Sequence, residues 1–177
     1  MTEVHRGGKQ KRPQFPGDEE IRQALLESGM SLLAVEREVS QLLHLLSLDF
    51  FGRRKRRLYE VIVIRMGVVQ LQEKLVAIAH RHQQETGNPL NIDDIFYGPY
   101  KYLLTDFGPG DVDGVIKELV RAEILRQEDR GGIQVLQPTK KHFRSSATGL
   151  RRVLEQMKLH LGIRYAADYD TEKTYRV

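Results

Sequence analysis

The sequence predicts a mainly α-helical protein with a small β-hairpin in its C-terminal half. Three observations support this prediction. Apolar residues recur at three- and four-residue intervals between residues 18 and 86. A Gly-Gly pair at 131–132 separates two short segments with strand-like alternation, which is a strong local hairpin signal. A leucine-rich stretch with helical spacing follows at 150–161.

Composition limits the classes of function. The 177 residues correspond to one domain, or to one small domain with an extension. A hydrophobic content of 40% is sufficient for a core, and a charged content of 29% suggests long solvated helices. The absence of cysteine excludes disulfides, thiolate nucleophiles and cysteine-based zinc sites. The net charge of +4 is a mild excess, so the distribution of the cations matters more than their number.

Neither a signal peptide nor a membrane span is expected. The first seventeen residues are polar and lack an apolar segment. The most apolar long stretch, 58–79, contains Glu60, Arg65, Glu73 and Lys74, whereas a spanning helix needs about 20 nearly uncharged residues. We therefore expect a cytoplasmic protein with no membrane partner.

The N-terminal half is expected to be a basic arm followed by helices. Residues 1–17 are rich in glycine, proline and cations, a composition typical of disorder, and they form either a mobile terminus or an arm that binds phosphates. A first helix is expected at 18–28. Ser31 should cap a second, leucine-rich helix that ends at 50–52. A helix this apolar must be buried on several sides, in a bundle or at an oligomer interface.

A long third helix is expected to begin at five consecutive cations, residues 53–57. The β-branched residues at 61–64 would also suit a strand. Helical spacing of the apolar residues favours a helix, which Gly87 and Pro89 would end. Its predicted buried stripe consists of Val61, Ile64, Val68, Leu71, Leu75 and Ile78.

The C-terminal half is expected to contain two short helical stretches, a further helix, a hairpin and a final helix. The strands are predicted at 124–127 and 133–136, with a turn at 129–132. Thr139 should cap a final helix that runs to about residue 160 unless Gly149 breaks it. The elements before the hairpin are a short helix at 92–96 capped by Asn91, a stretch at 99–104, a turn at 108–110, and a helix at 112–122 capped by Asp111.

This order resembles the winged-helix superfamily of helix-turn-helix proteins. The segment VIKELVRAEILRQEDRGGIQVLQPTKKHF, residues 115–143, is similar to a recognition helix followed by a wing, and a long helix after it is typical of PadR- and MarR-like regulators, which dimerise. The resemblance covers about 92–160. The chain departs from the pattern at Ala122–Glu123, where the family usually has glycine, and at 99–110. The resulting division is a basic arm (1–17), a helical region (18–90), a winged helix (91–143), a C-terminal helix (144–162) and a tail (163–177).

The resemblance implies DNA binding, with the third helix of the module in the major groove. The first turn of that helix is acidic, however, because it carries Asp111 and Asp113, and Glu118 follows. We therefore predict binding to double-stranded DNA dominated by phosphate contacts, with weak sequence reading. The predicted contact residues are Arg53, Arg54, Lys55, Arg56, Arg57, Lys117, Arg121, Arg126, Arg130, Lys140, Lys141, Arg144, Arg151 and Arg152.

Several of these features have alternative interpretations. The 53–57 run also fits a solvated patch, a surface facing an acidic protein, or a nuclear address. The cluster of Tyr97, Tyr100, Tyr102 and Phe107 fits core packing or a stacking surface for single-stranded bases.

Catalytic and metal-binding patterns are missing from the sequence. His80 and His82 lie two residues apart on different helix faces, and no zinc or phosphate-loop motif occurs. We predict a non-enzymatic protein without metal or cofactor: a homodimeric or complex-bound DNA-binding factor in transcription regulation or another DNA transaction. The alternative is a winged-helix protein–protein interaction subunit of a larger assembly. A third alternative is an enzyme subunit whose active site lies on a partner chain.

Overall fold

The structure, a computed structural model, describes residues 13–163 of the chain. These residues contain six α-helices and three short strands. The molecule is mainly helical, with one small antiparallel sheet and a C-terminal helix. In chain order the elements are α1 (Asp18–Glu27), α2 (Leu32–His44), α3 (Arg53–Thr86), β1 (Leu90–Asn91), α4 (Ile92–Phe96), α5 (Pro109–Arg121), β2 (Leu125–Arg130), β3 (Ile133–Pro138) and α6 (Thr148–Leu161), with 3₁₀ turns at Leu46–Leu48 and Lys101–Leu104.

Helix α3 is the axis of the fold and confirms the prediction of one long helix. Its 34 residues correspond to a length of about 50 Å. The first half, through Leu58, Ile62 and Val69, packs with α1, α2 and α6 in one core. The second half, from Leu71 onward, packs with α4, α5 and the sheet in another. Two apolar cores therefore share a single helix.

The sheet has the strand order β1-β3-β2, and both pairs are antiparallel. Leu90 pairs with Leu136, so the two-residue strand β1 ties the end of α3 to the hairpin. Gly131 and Gly132 have φ angles of 63° and 85°, which is the conformation that a two-residue hairpin turn requires. The predicted hairpin is confirmed, with strands longer than expected. Strand β1 was not predicted because two residues carry no recognisable alternation.

Two predicted helix starts are wrong. Helix α5 begins at Pro109, not after a turn at 108–110, because the fixed φ and missing N–H of proline suit the first helical position. Asp111 therefore lies inside the helix and does not cap it. Helix α6 begins at Thr148, not at Thr139. The hydroxyl of Thr139 donates to the carbonyl oxygens of Glu123 and Ile124, which holds this residue at the end of the hairpin.

Gly149 does not break α6 but allows it to pack closely on α1. A Cβ at this position would lie 3.2 Å from Ala24 Cα and 2.8 Å from Glu27 Oε2. Leu150, Val153 and Met157 are buried in the same core as α1 and α3. The leucine-rich stripe of α6 is therefore mostly covered by the protein's own chain.

Burial differs from the prediction in α2 and α3. Ser31 caps α2 as predicted, accepting a hydrogen bond from Ala34 N at 3.1 Å. The leucine-rich segment is not buried on several sides, since α2 packs on α1 and α3 by one face and leaves Leu32 and Leu33 65% and 73% exposed. In α3, Ile64 of the predicted stripe is 64% exposed, and the buried side instead includes Leu58, Ile62, Arg65 and Val69.

The last residues of the predicted disordered arm are packed against the helices. The Phe15 ring lies edge-on to His160, with ring centroids 5.4 Å apart. A ring nitrogen of His160 lies 2.8 Å from the carbonyl oxygen of Pro13. The arm prediction is therefore wrong for 13–17, whereas its residues 1–12, and residues 164–177 of the predicted tail, lie outside the described residues.

Candidate nucleic-acid interface

The predicted contact residues lie in four places on the structure. The run 53–57 forms the first turn and a half of α3. Lys117 and Arg121 lie on α5, and Arg126 and Arg130 lie on β2. Lys140, Lys141 and Arg144 occupy the segment between β3 and α6, while Arg151 and Arg152 lie in the first turns of α6.

Asp49 stabilises the start of α3. Its carboxylate accepts a hydrogen bond from Lys55 N at 3.1 Å. Desolvation is the largest single effect on the pKa of Asp49 and raises it, but the backbone N–H groups of residues 53–55 and the charge of Arg54 together lower it more. The pKa of Asp49 is thus held below its ordinary value. A carboxylate at this end of a helix also offsets the unfavourable position of five cations beside the positive helix terminus.

The five cations of α3 differ in their surroundings. Lys55 points inward: its Nζ lies 3.0 Å from His160 Nε2 and 5.6 Å from the centre of the Phe15 ring. Arg57 pairs with Glu60 at 3.2 Å in an exposed ion pair. Arg53 and Arg56 are exposed and make no ion pair with any residue in 13–163. Spacing of three and four residues places positions 53, 56 and 57 on one side of the helix, and we call these three arginines the α3 patch.

Helix α5 presents a mixed outer face. Lys117 pairs with Asp113 at 2.9 Å, and both side chains are more than half exposed. Glu118 turns inward instead, where its Oε1 accepts from Arg65 Nη2 and Gln72 Nε2, each at 3.0 Å. Glu118 therefore does not add to the acidic outer face, whose carboxylates are Asp111 and Asp113.

The hairpin cations are balanced by an acid on the same strand. Glu128 lies between Arg126 and Arg130 in sequence. It pairs with Arg126 at 3.1 Å and with Arg130 at 3.2 Å. The hairpin therefore offers less free positive charge than its two arginines suggest.

The segment after β3 brings cations to the C-terminal end of α5. Lys141 Nζ donates to the carbonyl oxygen of Ala122 at 2.9 Å, beside Arg121. Lys140 and Arg144 are exposed. These three cations, which we call the linker patch (Lys140, Lys141 and Arg144), line one side of a cleft of about 620 Å³ between the two cores. The helix dipole stabilises cations beside a helix C-terminus, so the stability of α5 by itself also explains the position of the linker patch.

The two predicted contact residues of α6 differ in their surroundings. Arg152 lines a cleft of about 280 Å³ together with Glu19, Glu20 and Glu27 of α1. Arg151 is exposed. The contact between Lys55 and His160 places the start of α3 beside the C-terminal end of α6, while the linker patch precedes the N-terminal end of α6. The fourteen residues of α6 span about 20 Å, so the start of α3 and the linker patch lie at opposite ends of this helix.

Exposed aromatic side chains mark two further places. Phe50 and Phe51, directly before the 53–57 run, are each 86% exposed. Neither was predicted as a candidate, although a Phe-Phe pair beside five cations is a visible signal. Tyr97 and Tyr102 are 83% and 70% exposed, so core packing is wrong for these two. Tyr100 is half-buried, with its hydroxyl 2.8 Å from His82 Nδ1.

The described residues offer little support for a metal site or a membrane-spanning helix. Within 13–163, no three His, Asp or Glu side chains converge in a way that could hold a metal ion. None of the helices in the same range combines the length and apolarity needed to cross a bilayer. Comparison with known proteins found no matching family model, no matching curated protein and no matching solved structure.

Proposed function

We propose that residues 90–138 form a winged-helix module in which α5 is the recognition helix and the β2–β3 hairpin is the wing. The order β1, α4, 3₁₀ turn, α5, β2, β3 supports this assignment, as does the strand order β1-β3-β2. The backbone conformation of Glu123 also supports this assignment. Its φ of 61° lies in the left-handed region, at the position where the family pattern usually has glycine.

We further propose that the protein binds double-stranded DNA mainly through its phosphates and acts as a regulator or accessory factor in DNA transactions. The observation that carries this proposal is the α3 patch. Two of its arginines have no acidic partner within 13–163, and the third makes only an exposed ion pair that a phosphate can replace. Guanidinium groups suit phosphate because they donate two parallel hydrogen bonds. The mixed face of α5 favours weak sequence reading.

Salt-dependent binding to random duplexes tests this proposal. We expect the wild-type protein to bind a 30-base-pair duplex at low salt, with a binding constant that falls steeply as salt rises. Arg53→Gln/Arg56→Gln should reduce the slope of log K against log salt by about 1.8, which is about 0.9 for each phosphate that is no longer neutralised. Glu60→Gln is a matched control that frees Arg57 and should strengthen binding. Absence of binding at low salt would overturn the proposal.

A second candidate, a protein-interaction module, is favoured by a groove of about 590 Å³ between α3 and α5. The exposed apolar residues Val63 and Ile64 line it. Gly67, Gly110 and Gly114 also line it, and a Cβ built at any of them would meet no atom within 4 Å apart from its chain neighbours and the backbone of its own helix. The chain's own packing therefore does not require these glycines, although glycine inside a helix costs about 1 kcal/mol.

Under this second candidate the occupant of the groove is a second copy of the chain. Because α6 buries its apolar stripe internally, a homodimer needs another interface, and the groove provides one. Sedimentation velocity over a range of concentrations should show association that Gly114→Leu abolishes. Gln41→Leu, which adds the same apolar group on the exposed face of α2, should leave association unchanged. A monomer at every concentration excludes this candidate.

A further inference from the structure

The turn between α2 and α3 carries an exposed aromatic pair beside cations. Phe50 and Phe51 are each 86% exposed, and Leu48 before them is 57% exposed. Neither phenylalanine belongs to the apolar core around α1, α2, α3 and α6. Two adjacent aromatic side chains in water leave a large apolar area unburied, which indicates a contact that the described residues do not supply.

The turn is held in place from both sides. On its N-terminal side the Leu46–Leu48 turn follows α2, and Leu46 packs against the core. On its C-terminal side the carboxylate of Asp49 binds Lys55 N, and Gly52 enters α3 with a φ of 71°. The phenylalanines therefore project from a fixed turn that is directly continuous with the α3 patch. Because Asp49 already accepts from the start of α3, a phosphate here would bind arginine side chains and not the helix terminus.

We propose that Phe50 and Phe51 stack on bases of nucleic acid that are unpaired or easily unstacked, while Arg53 and Arg56 hold the neighbouring phosphates. This inference rests on the proposed nucleic-acid binding and adds a preference for distorted or single-stranded sites. Stacking on an aromatic face is tolerant of sequence because every base has such a face, and phosphates adjacent to the base meet the cations.

The composition of the turn favours bases over a lipid surface as its partner. The two apolar side chains at its tip are both aromatic, and four of the five following cations are arginines. Aromatic rings and guanidinium groups both stack on bases, and guanidinium also matches phosphate geometry. A lipid surface would accept aliphatic side chains equally well. Replacing both phenylalanines with leucine therefore distinguishes base stacking from binding to a lipid surface.

The test compares a duplex with a central six-base mismatched bubble and a fully paired duplex of the same length. We expect the wild-type protein to bind the bubble about 10-fold more tightly. Phe50→Ala/Phe51→Ala should remove this preference, and so should Phe50→Leu/Phe51→Leu, because both eliminate the rings. Neither variant should change the affinity for paired DNA or its salt slope. Leu32→Ala/Leu33→Ala, an apolar pair on α2 that is 65% and 73% exposed, should behave like the wild type.

The outcomes separate this inference from the proposed function. Binding to both DNAs with no preference, or a preference that survives in both phenylalanine variants, overturns the inference and leaves phosphate-dominated binding intact. Failure to bind either DNA at low salt overturns both. Binding to phosphatidylserine vesicles that Phe50→Leu/Phe51→Leu retains, together with equal binding of the two DNAs, assigns the turn to a membrane surface and also overturns the inference. Circular dichroism of each variant checks that the fold is retained.

Discussion

The guanidinium of Arg65 lies 3.0 Å from the carboxylate of Glu118, and this ion pair joins α3 to α5 at the boundary of the two cores. Arg65 is only 8% exposed. It also donates from Nε to Ser28 Oγ at 3.0 Å and from Nη2 to Ser28 O at 2.8 Å. One buried side chain therefore connects the end of α1, the middle of α3 and the proposed recognition helix.

Replacing Arg65 with leucine should lower the free energy of unfolding by about 2–3 kcal/mol. The change leaves the buried Ser28 and the half-buried Glu118 without their charged donor. Urea denaturation followed by circular dichroism measures the effect. Lys117→Leu is the matched control, because it breaks the exposed pair with Asp113 on the same helix and should cost under about 0.5 kcal/mol. Equal losses in the two variants would show that the Arg65–Glu118 pair contributes no more to stability than the exposed Lys117–Asp113 pair.

Replacing Glu123 with glycine should stabilise the protein by about 0.5–1 kcal/mol. Glu123 has a φ of 61°, which costs an L residue about 1–2 kcal/mol, whereas glycine adopts it without strain but loses more chain entropy on folding. The thermal midpoint should rise accordingly. Ala122→Gly, at the neighbouring position with a φ of −78°, should instead destabilise. A lower midpoint for Glu123→Gly would contradict the left-handed conformation at this position.

Replacing Gly149 with alanine should destabilise the protein by about 1–3 kcal/mol, because the added methyl group would clash with Ala24 of α1. Gly114→Ala in α5 is the opposite case. Apart from the backbone of its own helix and its chain neighbours, no atom lies within 4 Å of the added Cβ, so the change should stabilise the helix by about 0.5–1 kcal/mol. Parallel chemical denaturation of the two variants tests this difference in sign. Stabilisation by both substitutions would show that α1 and α6 do not cross closely.

Replacing Asp49 with alanine should cost about 1 kcal/mol at neutral pH, because the start of α3 loses its carboxylate acceptor. The pKa of Asp49 is lower in the folded protein than in the unfolded chain, so its contribution is fully present above the unfolded pKa of about 3.9. The stability difference between wild type and variant should therefore be constant above about pH 5 and shrink as the pH falls through the folded value. Denaturation curves between pH 3 and 7 measure this. A difference that grows with acidification would contradict the capping role.

Local signals in the sequence predicted the mainly helical class and several element boundaries correctly. The caps at Ser31 and Asn91, the stop at Gly87 and the turn at Gly131–Gly132 were all correct, because each depends on a few neighbouring residues. Contacts distant in sequence account for the failures. The hydroxyl of Thr139 binds carbonyl groups fifteen or sixteen residues away and not a helix start.

The candidate site was less predictable than the fold for the same reason. From the sequence alone, Glu118 counts among the acids of the third helix that oppose DNA binding, whereas Arg65, more than fifty residues earlier in the chain, pairs with it and draws it inward. The run 53–57 was recognised, but which of its cations remain free depends on His160 and Glu60. Sequence patterns identify the charged residues, and only the tertiary structure identifies their partners.

Because α3 is one unbroken helix, its length fixes how the two ends of the molecule are rotated relative to each other about the helix axis. Each residue of an α-helix adds 1.5 Å of rise and about 100° of rotation. One residue inserted at Gln70, between the stretches that serve the two cores, would turn the Phe50–Phe51 end by about a quarter turn relative to the β2–β3 hairpin. Seven inserted residues would restore the original facing and lengthen the molecule by about 10 Å. The length of this one helix therefore determines which surfaces can meet the same partner at the same time.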